Sequence, residues 1–316
     1  MNQRTIAIVG ENLVDLFVED DGTVTPVPGG GPFNVARTVS RLGQHAVLFS
    51  GISKDEFGQT LQEVLNADGV SLALPAPLDL PTSLAIVEVD GAGPRYGFHL
   101  NGTAAFQLEE TAATKAYAAL GEHVAALYIG TLGLVVEPMA STGESLVKHV
   151  SPDTMVILDP NCRPSATTDH DAYRQRLSRL FSRSDVVKVS SEDLAYLSPG
   201  VTHEDSARAI VAGGATWVVI SDGPGEIKVF GADQEFSADV PRVDVVDTVG
   251  AGDALVGGFL AWWIGHDLER ADLANADLVR AGVTAAAAVA SITCTRKGAE
   301  PPWAKDVKGS PGWEWL

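Results

Sequence analysis

The sequence predicts an α/β fold, a central and mostly parallel sheet flanked by helices, from which a small antiparallel β-sheet projects. Three observations carry this. Short apolar runs alternate with helical patterns along most of the chain; two segments instead pair strand with strand; and the stretch after Asp253 turns almost wholly helical. With no internal repeat and no long linker, the 316 residues read as a single domain, 1–316.

Taken in order, the strand candidates are Ile6–Val9, Ala46–Ser50, Leu127–Gly130, Met155–Asp159, Asp185–Val189 and Trp217–Ser221. They are short apolar runs, as strands of a sheet covered on both faces must be. Between them, Phe33–Leu42, Phe57–Ala67, Pro138–His149, Tyr173–Phe181 and Ser206–Ala212 show the helical period. The rhythm breaks twice. Leu13–Glu19 turns at Asp20-Asp21-Gly22 into Thr23–Val27, and Leu84–Val89 turns at Asp90-Gly91-Ala92-Gly93 into Arg95–Leu100. These strands, within about 12–28 and 83–101, suit a small sheet used as a lid, as a homodimer interface or as a plain surface ribbon. Beyond Asp253, Ala254–Ile264 and the alanine-rich Leu278–Ile292 are helical, and the tail Pro301–Leu316 has no clear period.

Charge narrows the partners. With 41 acidic and 22 basic residues the chain carries a formal net charge of −19, which repels phosphate backbones and anionic lipid. Neither nucleic acid nor a membrane is an expected partner. The most apolar stretch, Val283–Ile292, is shorter than the roughly 20 residues of a spanning helix. The chain runs straight into a β-like segment without a basic leader. Cys162 and Cys294 have no metal-like spacing and form no disulfide framework, so a cytoplasmic location is expected.

The strongest chemical signal lies in Asp247-Thr248-Val249-Gly250-Ala251-Gly252-Asp253. Val245-Val246 reads as the end of a strand, Gly250-Ala251-Gly252 as a small-residue turn, and the following residues as an apolar helix. Free backbone N–H groups and the positive end of a helix dipole then meet at one point, an anion site suited to a transferring phosphoryl group. Asp253 at the helix start has two readings by spacing alone, a helix cap or a base that takes the proton of the phosphate acceptor.

This run, followed by Ala254-Leu255-Val256-Gly257-Gly258-Phe259, resembles the C-terminal signature of the ribokinase/PfkB carbohydrate-kinase family. The resemblance implies a ribokinase-like fold, Asp253 as catalytic base and Gly250, Ala251 and Gly252 as the anion hole. It also implies a monovalent cation, possible K⁺, beside Asp247, whose bland alternative is a turn cap. Gly29-Gly30-Gly31-Pro32-Phe33-Asn34 resembles the family's N-terminal signature, which makes Gly30, Gly31 and Asn34 sugar contacts; Ser53 replaces a glycine usual downstream. Gly10-Glu11-Asn12-Leu13-Val14-Asp15 is similar to the family's opening, where Asp15 would accept from vicinal hydroxyls.

Asp159-Pro160-Asn161-Cys162-Arg163-Pro164 resembles a run in fructokinases and 2-keto-3-deoxygluconate kinases, placing Asn161 and Arg163 near the reacting groups. No Gly-x-x-x-x-Gly-Lys-Ser/Thr loop occurs, so ATP must be held otherwise. By resemblance the holders are Lys188, Ser221, Gly223, Gly225, Gly250, Gly252, Gly298 and Ala299, with Glu192 or Asp193 serving Mg²⁺ through water. Tyr96–Phe106 resembles the fructokinase lid segment, with Asn101 toward the sugar, Ala105 in place of an aspartate and Leu100 where keto-deoxy-gluconate kinases carry arginine. The expected activity is transfer from ATP to a neutral sugar, fructose first. 2-Keto-3-deoxygluconate or another PfkB-type sugar or nucleoside is the alternative acceptor. A dehydrogenase and a non-catalytic sugar-binding protein are the other classes; Ile8-Val9-Gly10-Glu11-Asn12 offers too few glycines for the first, and an intact Asp253 argues against the second.

Overall fold

The six strand candidates named above become strands because each alternates its side chains between two covered faces. The computed structural model describes residues 4–19, 21–90, 93–223 and 225–314, with the backbone alone at 88–90, 93–96 and 122. Asp20, Gly91, Ala92, Pro224 and Leu316 of the expected turns, loop and tail lie outside the described residues.

Along the chain, β1 (Thr5–Val9) leads into the hairpin of β2 (Leu13–Val18) and β3 (Val24–Gly29). Then come α1 (Gly31–Arg41), β4 (His45–Phe49), α2 (Glu56–Asp68), β5 (Ser71–Leu72) and a second hairpin, β6 (Leu84–Asp90) and β7 (Gly93–His99). Strand and helix next alternate through α3 (Glu110–Ala119), β8 (Val124–Gly130), α4 (Met139–His149), β9 (Met155–Asp159) and α5 (His170–Phe181). They continue through β10 (Val186–Ser190), α6 (Ser191–Leu197), α7 (His203–Ala212) and β11 (Trp217–Ser221). The pair β12 (Ile227–Phe230) and β13 (Glu235–Ala238) precedes α8 (Ala251–Gly265), α9 (Ala276–Cys294) and α10 (Ala304–Val307).

Nine strands form the main sheet in the order β13-β12-β11-β10-β9-β8-β1-β4-β5, parallel except at β12 and β13. The two-residue period of β1 splits its side chains between two cores: Ile6 and Ile8 join Val35, Phe259 and Val283, whereas Ala7 and Val9 join Ala113, Leu146 and Leu177. Helices α1, α8 and α9 thus cover one face, and α3, α4, α5 and α7 the other. The four remaining strands form a second sheet, β3-β2-β6-β7. Its two antiparallel hairpins are joined through a parallel β2–β6 pairing.

Two expectations change. Val245-Val246 is not a strand end; both valines are exposed, and the amides of Val246 and Asp247 donate to the Cys294 carbonyl at 2.8 and 3.2 Å. With β12 already paired to the outer side of β11, the run lies along the end of α9, and tertiary context overrides its β propensity. The apolar stretch at Val283–Ile292 belongs to the longer α9, which by length and composition alone could cross a membrane. It is a core helix packed on α8: a Cβ on Gly258 would stand 3.0 Å from Val289. Cys162 and Cys294 are both free thiols.

The tail acquires order through contacts with α8 and α9 and, at Pro301 and Trp303, with Arg41 of α1. Trp313 is fully buried and its Nε1 donates to the Ala285 carbonyl at 3.0 Å, while Trp262 Nε1 donates to the Gly312 carbonyl at 2.8 Å. Replacing Trp313 with Ala removes a large buried ring, and urea unfolding should show a loss of about 3–5 kcal/mol. A loss below about 1 kcal/mol, the range of ordinary surface changes, would contradict this docking.

Candidate active site

Open parallel sheets bind ligands at the carboxyl ends of their strands, where the strand order changes direction. Here the chain goes from β1 outward to β4 on one side and returns through β8 on the other, so that point lies between β1 and β8. Glu11, directly after β1, is buried there. It accepts hydrogen bonds from the Thr131 hydroxyl and, at 2.9 Å, from the Gly133 amide, bridging the ends of β1 and β8. Asn12 ties β1 to the end of β4, donating to Ser50 Oγ and the Gly51 carbonyl at 2.8 Å each.

Asp253 comes to this point at the third position of α8. The helix begins at Ala251, with Gly250 as its N-cap at φ 78° and no side-chain cap. The cap reading of Asp253 therefore fails, because its carboxylate is turned elsewhere: Oδ2 accepts from Asn34 Nδ2 at 2.9 Å. Asn34 sits in the first turn of α1, which Pro32 opens. Gly31 before it lets the chain pass close by, since a Cβ there would lie 2.5 Å from Thr131 Cγ2 and 3.2 Å from Asp253 Oδ1.

Burial pushes the Asp253 carboxyl up to about 6; the Asn34 hydrogen bond and the charges of Lys188 and Arg163 hold it down, and Glu11 pushes it further up. Asp15, on β2 of the small sheet, is also raised to about 6, first by burial and then by the charge of Asp253, with Arg163 opposing. Glu11 is raised by burial as well. Arg163 is the cation that all three carboxylates share; its Nη1 donates to the carbonyls of Asn161 and Cys162 at 3.3 and 3.1 Å. Asn161 beside it is held at φ 37°, a left-handed backbone that Asn tolerates better than most residues.

Beneath the start of α8 lies a buried cation. Lys188 Nζ is 3.2 Å from Asp159 Oδ2, and a Cβ on Gly252 would stand 2.8 Å from that Nζ. Burial works to lower the Lys188 pKa, but Asp159, Asp193 and Asp253 outweigh it and the value is raised. Asp159 is pushed up to about 7 by its burial, against the pull of Lys188. A side chain at 252 would thus crowd the Lys188 ammonium.

The remaining expected residues are placed as follows. Gly250 abuts the loop of Gly298 and Ala299, since a Cβ on it would fall 2.4 Å from the Ala299 Cβ. Asp247 accepts from the amides of Val249 and Gly298 at 3.0 and 2.9 Å, so its carboxylate fixes this loop. Asp193 is buried in the capping box of α6. Its Oδ2 accepts from the Ser190 amide and hydroxyl at 2.8 Å each, and its Oδ1 from the Cys162 amide at 2.6 Å. Glu192 is exposed in the same helical turn. Ser221, Gly223 and Gly225 follow β11, two strands beyond β9, and Asn101 is exposed in the turn after β7. Ala105 is buried in an apolar cluster, its carbonyl accepting from the Gly51 amide at 3.2 Å. Among the described residues, no three or more His, Cys, Asp or Glu side chains form a metal-holding group. Glu11, Asn12, Thr131 and Asp159 were not singled out from sequence, although each lies at or just past a strand end.

A model of the pfkB family of carbohydrate kinases matches residues 3–306. The chain belongs to that family. It is 33% identical over 260 residues to a fructokinase of Rhizobium leguminosarum bv. trifolii, covering 81% of this chain and 78% of that protein. It is 28% identical over 298 residues to an aminoimidazole riboside kinase of Salmonella typhimurium, covering 92% and 89%. The crystal structure of a Xylella fastidiosa fructokinase with bound ATP superimposes with a TM-score of 0.84 at 24% identity over 93% of each chain. The fold of this pfkB-family kinase is the ribokinase-like one, and the protein is a sugar phosphotransferase.

Burying Asp253 costs stability. The folded chain binds this proton more tightly, about 6 against an ordinary 3.8, so folding loses stability as pH rises through that interval. Asp253→Asn should therefore raise the unfolding free energy at pH 7 by an amount on the order of 2 kcal/mol, with the gain gone near pH 3. Urea unfolding at both pH values checks this; an Asn variant less stable at pH 7 would contradict it.

Proposed function

We propose that this kinase transfers the γ-phosphoryl group of ATP to a terminal hydroxyl of a neutral monosaccharide, converting fructose to fructose 6-phosphate. The observation that carries the reading is the buried Asp253 carboxylate, aligned by Asn34 beside the start of α8, whose first amides have no side-chain cap. A carboxylate in that place can take the proton of a hydroxyl while the amides receive the charge of the phosphoryl group.

In this reading the sugar lies among Gly30, Gly31, Asn34, Asp15, Asn101 and Asn161, with the second sheet as its lid. Asp15 reaches the centre from that sheet, close enough to Asp253 for the Asp253 charge to raise its proton affinity. Lid closure excludes water, which keeps the phosphoryl group from hydrolysis. Asp253 accepts the hydroxyl proton as the oxygen attacks in line; Arg163 and Lys188 offset the negative charge on either side. The phosphates of ATP meet Gly250, Ala251, Gly252 and Lys188, and the nucleotide extends toward Ser221, Gly223, Gly225, Gly298 and Ala299.

Mg²⁺, when bound, neutralises phosphate charge. Glu192 would hold it through water, because both oxygens of Asp193 already accept from protein donors. A monovalent cation beside Asp247 belongs to the same reading, and a K⁺ titration of turnover tests it.

Fructose is favoured over an acidic sugar by charge. Three carboxylates, those of Glu11, Asp15 and Asp253, face one guanidinium at the centre, and Leu100 is buried where a carboxylate-binding arginine would be needed. A riboside acceptor is the second reading, supported by the riboside kinase relative and by Ala105 at the position of the fructokinase aspartate. ADP release measured over fructose, ribose, keto-deoxy-gluconate, adenosine and aminoimidazole riboside separates these; fructose should give the highest kcat/KM, and a preference for any other acceptor would replace it. Asp253→Asn should bind ATP normally while turnover falls about 10²–10⁴-fold. Near-normal turnover in that variant would remove Asp253 as the base.

A further inference from the structure

One charged cluster outside the chemistry touches the nucleotide side of the site. On α1, one turn beyond Asn34, Arg37 and Arg41 are both buried, with side chains 7% exposed. Each pairs with Asp68 at the end of α2, Arg37 Nε at 2.6 Å and Arg41 Nε at 2.8 Å. Each also reaches Glu300, at 2.9 and 2.5 Å. The same guanidiniums bind backbone on either side of Glu300: Arg37 Nη1 donates to the Ala299 carbonyl at 3.3 Å and Arg41 Nη1 to the Pro301 carbonyl at 2.7 Å. Four contacts from one helix therefore converge on three consecutive residues.

The cluster holds two positive and two negative side chains, so it is neutral, with Arg41 Nε the one buried donor in it that makes an ion pair without a hydrogen bond. It offers no anion site of its own. Nor does stability explain it well, since buried ion pairs add little over apolar packing of the same volume. What planar guanidiniums do provide is direction, because a fork held at several points fixes its partner in position as well as in distance. The partner here is the loop whose Ala299 abuts Gly250 and whose Gly298 amide is held by Asp247.

We propose that Glu300, gripped by Arg37 and Arg41, is a positioning residue that sets the ATP side of the site by pressing the 298–301 loop against the start of α8. The proposal rests on the ATP-dependent reading above and assigns it a control point that touches no reacting atom. Because α1 carries Asn34 as well, one rigid helix fixes both the base and the loop. Releasing Glu300 leaves Asn34 and Asp253 in place and loosens only the nucleotide side. Misplacement by about an ångström is enough to slow a positioned reaction.

Glu300→Ala tests this with the two substrates titrated separately. The side chain is 45% exposed and the Arg37–Asp68 and Arg41–Asp68 pairs survive its removal, so the variant should fold. The KM for ATP should rise about fivefold, and the KM for the sugar should stay within about twofold, given a partly screened ion pair acting at a distance. Glu300→Gln, which keeps one acceptor oxygen for one of the two guanidiniums, should recover part of the loss. Calorimetry of ATP binding should show the same weakening without any sugar present. Unchanged ATP parameters, or equal rises for both substrates, would overturn the proposal and leave Glu300 a stabilising residue only. Should Glu300→Ala fail to fold, Glu300→Asp, which keeps the charge but shortens the reach, must show the same ATP-selective rise. A wild-type protein that neither binds ATP nor releases ADP with any sugar would instead remove the reading beneath it.

Discussion

The hydrogen bond from Asn34 to Asp253 is the contact on which the site's geometry depends. It joins the first turns of α1 and α8, elements separated by more than two hundred residues, and it exists only because the two helices pack unusually close. Gly257 makes that approach possible: a Cβ there would stand 2.5 Å from the Thr38 Cβ on α1. Gly258 does the same on the α9 side. Small residues that serve packing therefore also set the position of the Asp253 carboxylate. Both helices cover the same face of the sheet, so the strand ends, Gly30, Gly31 and the first turn of α8 meet at one edge of the molecule.

Electrostatics then decides what that edge can do. The chain is strongly acidic overall, yet its centre is built from opposed local charges. Burial raises Asp253 and Asp15 toward neutrality, while Arg163 on one side and Lys188 on the other keep the carboxylates ionisable near physiological pH. A base of moderately raised pKa is more useful for deprotonating a hydroxyl than an ordinary aspartate, because its conjugate acid is weaker. Lys188 and the helix amides supply the positive potential that a phosphate needs against the field of the whole protein.

The parallel sheet was legible in the sequence because its strands are covered on both faces, which leaves runs such as Met155–Asp159 and Trp217–Ser221 continuously apolar. Both have the boundaries read from the pattern alone. The edge strand β13 and its neighbour β12 were not legible; they are four residues each and antiparallel, and β13 alternates polar with apolar residues. Helix α8 was expected to open at Ala254, but a left-handed Gly250 starts it three residues earlier, and with that shift the cap reading of Asp253 disappears. Residues defined by long-range contacts escaped altogether. Glu11 acts by bracing Thr131 and Gly133, Asp159 by holding Lys188, and the aperiodic tail by burying Trp313; no local spacing announces any of these.

In the proposed reaction Asp253 must be ionised for transfer, and Asn34 stabilises this form. The pH dependence of kcat/KM in the wild type and in Asn34→Leu tests both parts at once. The wild type should lose activity as pH falls through the range near 6 in which Asp253 and Asp15 titrate together. Without the Asn34 hydrogen bond that limb should move upward by about half a unit or more, whatever the change in maximal rate. A limb that stays in place in the variant, or a wild-type profile flat to well below that range, would contradict the account.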